Sequence, residues 1–309
     1  MHSSDRESFL EAASNGANFI PVAHSWSADL ETPLTTWLKV GHGQPPGVLL
    51  ESVEGGETIG RWSVVATKPL WTATAKGDLL VRQWRDGRTE EFRGNPFEGL
   101  RNWLAPYKPY TDPDLPPIGQ LYGMWGYELI QWIEPTVPVY SRNEEDLPDG
   151  IWMLMDSLLI FDQVKRLLTA VAFGDLTNQQ MPDEVYEKAL MRIQKLERQM
   201  EEPLPSVKPL RWQEKVVSTP RTKRNFRKSD FEEAVQTAKS HIAAGDVFQL
   251  VLSQKLEARV HHHPFELYRS LRMVNPSPYM AFFDFGDWQL IGSSPEVMVK
   301  AEPTTNGIR

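Results

Sequence analysis

Residues 292 to 296 read GSSPE, and they place one glutamate, Glu296, directly after an apolar run and beside a proline. Proline brings no backbone N–H to a sheet, so a ladder must end or bulge there and the carboxylate is aimed away from it. That placement suits a proton donor, and it also suits an ordinary polar group at a strand end. Upstream, period-two alternation through Val247 to Ala258 puts Gln249, Val251 and Ser253 on one face and Phe248, Leu250 and Leu252 on the other. Gln249 therefore offers an amide beside a hydroxyl. His261, His262 and His263 invite a metal reading, but three consecutive imidazoles point in different directions and a polar loop accounts for them. Gly55, Gly56 and Gly60 fit an anion cradle or a hairpin loop equally. The chain has no GxSxG elbow, Walker A loop, HExxH helix or GxGxxG fingerprint.

Composition narrows the classes. The 309 residues include no cysteine, which removes disulfides, thiolate nucleophiles and Cys-ligated metals and fits a reducing, cytoplasmic compartment. A net charge of −8 argues against a nucleic-acid partner, since phosphate binding needs clustered cations. The one basic cluster, Arg221, Lys223, Arg224, Arg227 and Lys228, reads as solvated linker. The start, MHSSDRESFLEAASNG, lacks a secretory layout, and no apolar run approaches the ~20 residues of a membrane span. The eleven tryptophans read as core.

The elements that must position these residues follow from periodicity. Residues 20 to 175 alternate short β-like runs with turn signals, among them 48–53, 61–67, 70–84 and 153–173, which predicts antiparallel sheet. Helices are expected at Pro33 to Val40, around Pro96 to Leu104, and at Pro182 to Met200, the last with Asp183 and Glu184 in its first turn. Pro203, Pro205, Pro209 and Pro220 then break the pattern, so residues 1–200 are expected as one domain, 201–228 as a linker and 229–309 as the start of a second. There Ser229 and Glu232 have capping-box spacing ahead of a helix from Asp230 to Ala244, which Gly245 ends. A strand at Val247 to Ala258, a helix at Pro264 to Val274, and a hairpin turning at Gly286-Asp287 between Met280–Phe285 and Trp288–Ser293 complete the reading.

AGDVFQLVLSQ (244–254), NPSPYMAFF (275–283), GSSPE (292–296) and VLLESVEGGETIGRWS (48–63), with LETPLTTWLK (30–39) and LPPIGQLYGMWGYELIQWIEP (115–135), resemble anthranilate synthase component I of the chorismate-utilising enzymes. WGYELIQ departs from the family's usual wording by carrying Glu128. The resemblance implies an α+β fold, with antiparallel β-sheets packed as a sandwich-like core and helices outside, incomplete at the C-terminus. It implies magnesium-dependent conversion of chorismate and ammonia into anthranilate and pyruvate, the ammonia coming from a glutamine amidotransferase subunit. On that resemblance Glu296 is the general acid toward the departing hydroxyl. Gln249 stands where relatives carry a lysine that activates water, and a neutral amide suits ammonia, which needs less activation. The Mg²⁺ ligands are expected beyond residue 309, none within this chain, so the chain by itself is expected not to complete the chemistry.

The resemblance also implies a feedback site for tryptophan. Glu51 and Ser52 end an apolar run, and Asn275, Pro276, Ser277, Pro278, Tyr279 and Met280 offer a rigid loop, an aromatic neighbour and an adaptable wall. By residue chemistry alone the same segments read as a turn and a helix-to-strand link. Two alternatives stand beside the main reading: aminodeoxychorismate synthase component I, and a tryptophan-binding regulatory fragment without catalysis.

Overall fold

A computed structural model describes residues 5–52, 61–115, 119–138, 147–210, 221–301, 303–304 and 307–308. Gly55, Gly56 and Gly60 lie outside the described residues, as does Pro220. The chain is α+β and divides into two compact units, residues 1–208 with 268–309, and residues 209–267. This grouping differs from the division expected from the sequence, because the hairpin near the C-terminus completes a sheet begun near the N-terminus.

In the larger unit, strands and helices among the described residues build two antiparallel sheets and their cover. The strands are β1 (Phe19–Ser27), β2 (Gly47–Glu51), β3 (Trp62–Thr67), β4 (Trp71–Lys76), β5 (Leu79–Trp84), β6 (Thr89–Arg93), β7 (Leu121–Trp125), β8 (Gly150–Leu154), β9 (Ser157–Asp162) and β10 (Leu167–Asp175); helices α1 (Arg6–Ser14), α2 (Pro33–Val40), α3 (Pro96–Leu104) and α4 (Pro182–Glu201) accompany them. A hairpin of Tyr279–Asp284 and Gln289–Ser294 joins the first sheet, whose order is β1, β10, β9, β3, β2 and then the two hairpin strands. The second sheet runs β6, β5, β4, β8, β7.

Side-chain alternation explains the layering. Trp71, Ala73 and Ala75 are buried on β4 while Thr72 and Thr74 are not, the alternation of a strand with one fully covered apolar face. Strand β9 is buried almost throughout, because its second face is also covered. Phe19, Val48, Ile160 and Val171 of one sheet pack with Tyr122 and Met153 of the other, forming the sandwich core. Leu100 and Trp103 of α3 close the outer face of the second sheet over Trp71, Leu80 and Trp152. Trp37, Trp71, Trp103 and Trp152 are buried as expected, whereas the other described tryptophans are only half-buried. No helix among the described residues is long and apolar enough to cross a membrane.

The hairpin turns as its sequence predicts. The Phe285 N–H donates to the Trp288 carbonyl at 3.1 Å across Gly286-Asp287, and Gly286 takes a φ of 95°, which a side chain would resist. Elsewhere a two-pronged ion pair ties β3 to β9. Arg61 donates from Nε to Oδ1 of Asp162 at 3.2 Å and from Nη2 to Oδ2 at 2.7 Å. Burial pushes the Asp162 carboxyl up, but the Arg61 bonds and the backbone N–H groups of Lys165 and Val164 outweigh it and leave the pKa below the ordinary value. A folded pKa below the unfolded one adds stability that is full above the unfolded value and lost as pH falls through the folded value. Wild type should therefore lose stability below about pH 4 more steeply than Asp162→Asn. Urea midpoints measured between pH 7 and pH 3 test this, and parallel curves would remove Asp162 from the account.

The smaller unit corrects two expectations. The strand expected over Val247 to Ala258 is confined to Leu256–Ala258, paired with Thr222–Arg224, and residues 247–255 form no ladder. Phe248 is 95 % exposed and Val251 83 %, so the alternation is present without a partner among the described residues. A strand needs a neighbour's backbone as well as its own pattern. The next helix, α5 (Lys228–Ala244), begins one turn edge earlier than predicted, at Lys228, with no side-chain cap. Ser229 Oγ turns instead to Asp230 Oδ1 at 3.0 Å, so the capping box does not form. Its end agrees with the sequence, Gly245 taking a φ of 83°.

Candidate functional site

Helix α6 (Pro264–Val274) runs across the boundary of the two units, and its second half belongs to the larger one. Proline opens it, and the imidazole of His263 accepts the Phe265 N–H at 3.2 Å. His263 is thus occupied as a helix cap, while His261 to His263 are all exposed. Tyr268 and Arg272, four residues apart, share one face of α6.

That face meets Glu51. Strand β2 lies antiparallel to Tyr279–Asp284 with Glu51 opposite Met280, so the strand register brings VLLES and NPSPYM side by side. The Glu51 carboxylate is buried, with its side chain 2 % exposed. Tyr268 donates its hydroxyl to Oε2 at 2.5 Å, and Arg272 Nε lies 3.2 Å from Oε1 and 3.1 Å from Oε2. Burial, then the Glu51 charge and hydrogen bond, push the Tyr268 hydroxyl far above its ordinary pKa, so it stays a donor. One carboxylate thereby pins a strand and a helix together.

The loop after α6 is held at both ends. The Asn275 N–H donates to the Leu271 carbonyl at 2.8 Å, its side-chain amide approaches Ser293 Oγ at 3.3 Å, and Ser293 returns its hydroxyl to the Asn275 carbonyl at 2.8 Å. Met280 is buried, Tyr279 is 44 % exposed, and the rigid Pro276 and Pro278 flank Ser277. Ser277 is buried and its hydroxyl has no hydrogen-bond partner among the described residues. An unsatisfied buried hydroxyl costs about 1–3 kcal/mol unless something else meets it. Sequence reading missed Tyr268, Arg272 and Ser293. The i, i+4 pairing of Tyr268 and Arg272 on α6 was the available signal, but nothing local pointed it at Glu51, 217 residues from Tyr268.

The two residues expected to do chemistry are not enclosed. Glu296 follows the hairpin's second strand, which ends at Ser294 just before Pro295, and it is exposed; Ser294 donates its hydroxyl to the Glu296 carbonyl at 2.9 Å. Gln249 is exposed in the smaller unit. Among the described residues no three His, Asp or Glu side chains come together as a metal site, so the residues present do not fit a bound Mg²⁺.

The family description "chorismate binding enzyme" matches residues 49–308. Anthranilate synthase component 1 of Synechocystis sp. is 50 % identical over 97 % of this chain and 60 % of that protein. The protein of the same name from Pseudomonas aeruginosa is 35 % identical over 96 % of this chain and 60 % of its own length. The chain therefore spans about 60 % of these curated relatives. A crystal structure of anthranilate synthase component I from Streptococcus pneumoniae superposes with a TM-score of 0.59 at 28 % identity, covering 76 % of this chain and 50 % of that one. With a family match across most of its length and relatives this similar, the chain belongs to the chorismate binding enzymes, and the relatives it resembles within them are anthranilate synthase component 1 proteins.

Proposed function

We propose that the chain contributes the feedback-sensing region and one flank of the reaction centre of an anthranilate synthase component I. The overall conversion takes chorismate and ammonia to anthranilate, pyruvate and water, with ammonia supplied by a glutamine amidotransferase subunit. Glu296 gives its proton to the hydroxyl that leaves. Gln249 orients ammonia through its amide, which holds a nucleophile without having to deprotonate it.

Free tryptophan is the proposed regulator. The observation that carries this reading is the junction of Glu51 with Tyr268 and Arg272, which sets Ser52 beside the loop of Asn275, Pro276, Ser277, Pro278, Tyr279 and Met280. An amino acid with an indole needs apolar walls for the ring and polar groups for its charged end. Met280 and the prolines suit the first need, and the hydroxyls of Ser52 and Ser277 suit the second.

Tryptophan at a hundred times its dissociation constant is expected to raise the stability of the folded chain by about 2.7 kcal/mol through mass action. Phenylalanine should add little, and Ser52→Phe should abolish the tryptophan shift by filling the space. Thermal melts of wild type and variant with each amino acid decide the matter. Equal indifference to both ligands in a chain that melts cooperatively would sink the reading.

A further inference from the structure

Away from the junction, between α4 and the segments that follow β3, follow β5 and lead into β9, a cavity of about 120 Å³ opens with Lys68, Arg85, Arg192 and Lys195 around it. Asp156 is the one carboxylate lining it among the described residues, and it is buried. Four cations therefore meet one anion in a chain whose net charge is −8. Arg85 Nη2 donates to Asp156 Oδ1 at 2.7 Å, and Arg192 Nη1 stands 3.7 Å from Oδ2. Arg192 also donates to the Phe173 carbonyl, but its Nε is buried and has no hydrogen-bond partner among the described residues. Desolvation lowers the Arg192 pKa, and the Asp156 charge only partly opposes it. A guanidinium taken out of water wants its remaining N–H groups met. Lys68 follows β3 with a φ of 55°, an uncommon conformation for a side chain other than Asn or Asp, and its backbone N–H is held by the Pro46 carbonyl at 3.0 Å.

We propose that this cavity binds a tetrahedral oxyanion, the phosphate group of inorganic phosphate or of a phosphomonoester. Its volume matches about four waters at ~30 Å³ each, and lies well below the ~300 Å³ at which pockets for whole organic ligands begin. Guanidinium forks suit its oxygens, and the two lysines add charge from the rim. Lys68 and Arg85 also line a neighbouring cleft of about 330 Å³ with Pro46, Pro69 and Trp84. The organic group of an ester has an apolar place to lie there. This site shares no residue with the proposed tryptophan site and stands or falls separately.

The test is titration of the 309-residue chain by calorimetry at constant ionic strength with inorganic phosphate, phenyl phosphate, acetate and chloride. Phosphate is expected to bind saturably where chloride does not. Lys68→Asn, which keeps a residue tolerant of the positive φ, and Lys195→Gln should each weaken phosphate binding roughly tenfold. Both lysines are exposed, so the fold does not depend on them. Tighter binding of phenyl phosphate than of phosphate assigns an ester, and equal binding assigns the free ion; either result supports the site. The proposal is overturned by an absence of saturable phosphate binding, by acetate binding as well as phosphate, or by affinity that neither substitution moves.

Discussion

Replacing Glu51 with alanine is expected to cost the folded chain about 3 kcal/mol. The carboxylate is buried and accepts from both Tyr268 and Arg272. Alanine removes the acceptor and leaves a hydroxyl and a guanidinium facing each other across a void. Breaking one side of a buried ion pair costs about 3–5 kcal/mol, and the Arg272 side chain keeps 28 % exposure, which places the loss at the low end. Glu51→Gln keeps the shape and an acceptor for Tyr268 but loses the charge, so it should lose roughly half as much. Glu51→Met combined with Arg272→Met should recover stability relative to Glu51→Ala, because the penalty lies in the uncompensated cation more than in the missing bond. Urea unfolding of the four chains separates these terms. A Glu51→Ala midpoint matching wild type would mean that the junction does not hold the hairpin to the helix.

That junction shows what a sequence can and cannot reveal. The β-like runs at 70–84 and 153–173, which hold β4 and β9, were readable because residue type and turn signals are local properties of the segment. The Gly286 turn was readable because only the backbone of the turn is involved. The partners of Glu51 were not, since strand register over a separation of more than two hundred residues leaves no local mark. Alternation around Gln249 predicted a strand, yet residues 247–255 form no strand ladder, and Phe248 is left in solvent. Pattern there reports what the segment is able to bury, and a ladder requires a second backbone to bury it against. Ser229 shows the same limit at a helix end: capping-box spacing was present, but Asp230 took the hydroxyl.

Glu296→Gln is expected to lower kcat by about 10²- to 10⁴-fold in a chain carried to the length of its curated relatives. In the proposed reaction a hydroxyl must leave carbon. Hydroxide is a poor leaving group, and a proton delivered as the bond breaks converts it to water. Glutamine has the size and a hydrogen bond to offer, but it has no proton to give at any accessible pH. Binding of chorismate should therefore change little, and the loss should appear in kcat, the signature of an interaction made in the transition state. Glu296→Asp keeps the acid on a shorter arm and should restore part of the rate. Gln249→Leu offers the complementary comparison. If its amide orients ammonia, its loss should raise the KM for ammonia, whereas Glu296→Gln should depress turnover equally with ammonia or with glutamine as nitrogen source. A Glu296→Gln enzyme that kept more than about a tenth of the wild-type kcat, far above the loss general-acid removal predicts, would transfer the proton to another group.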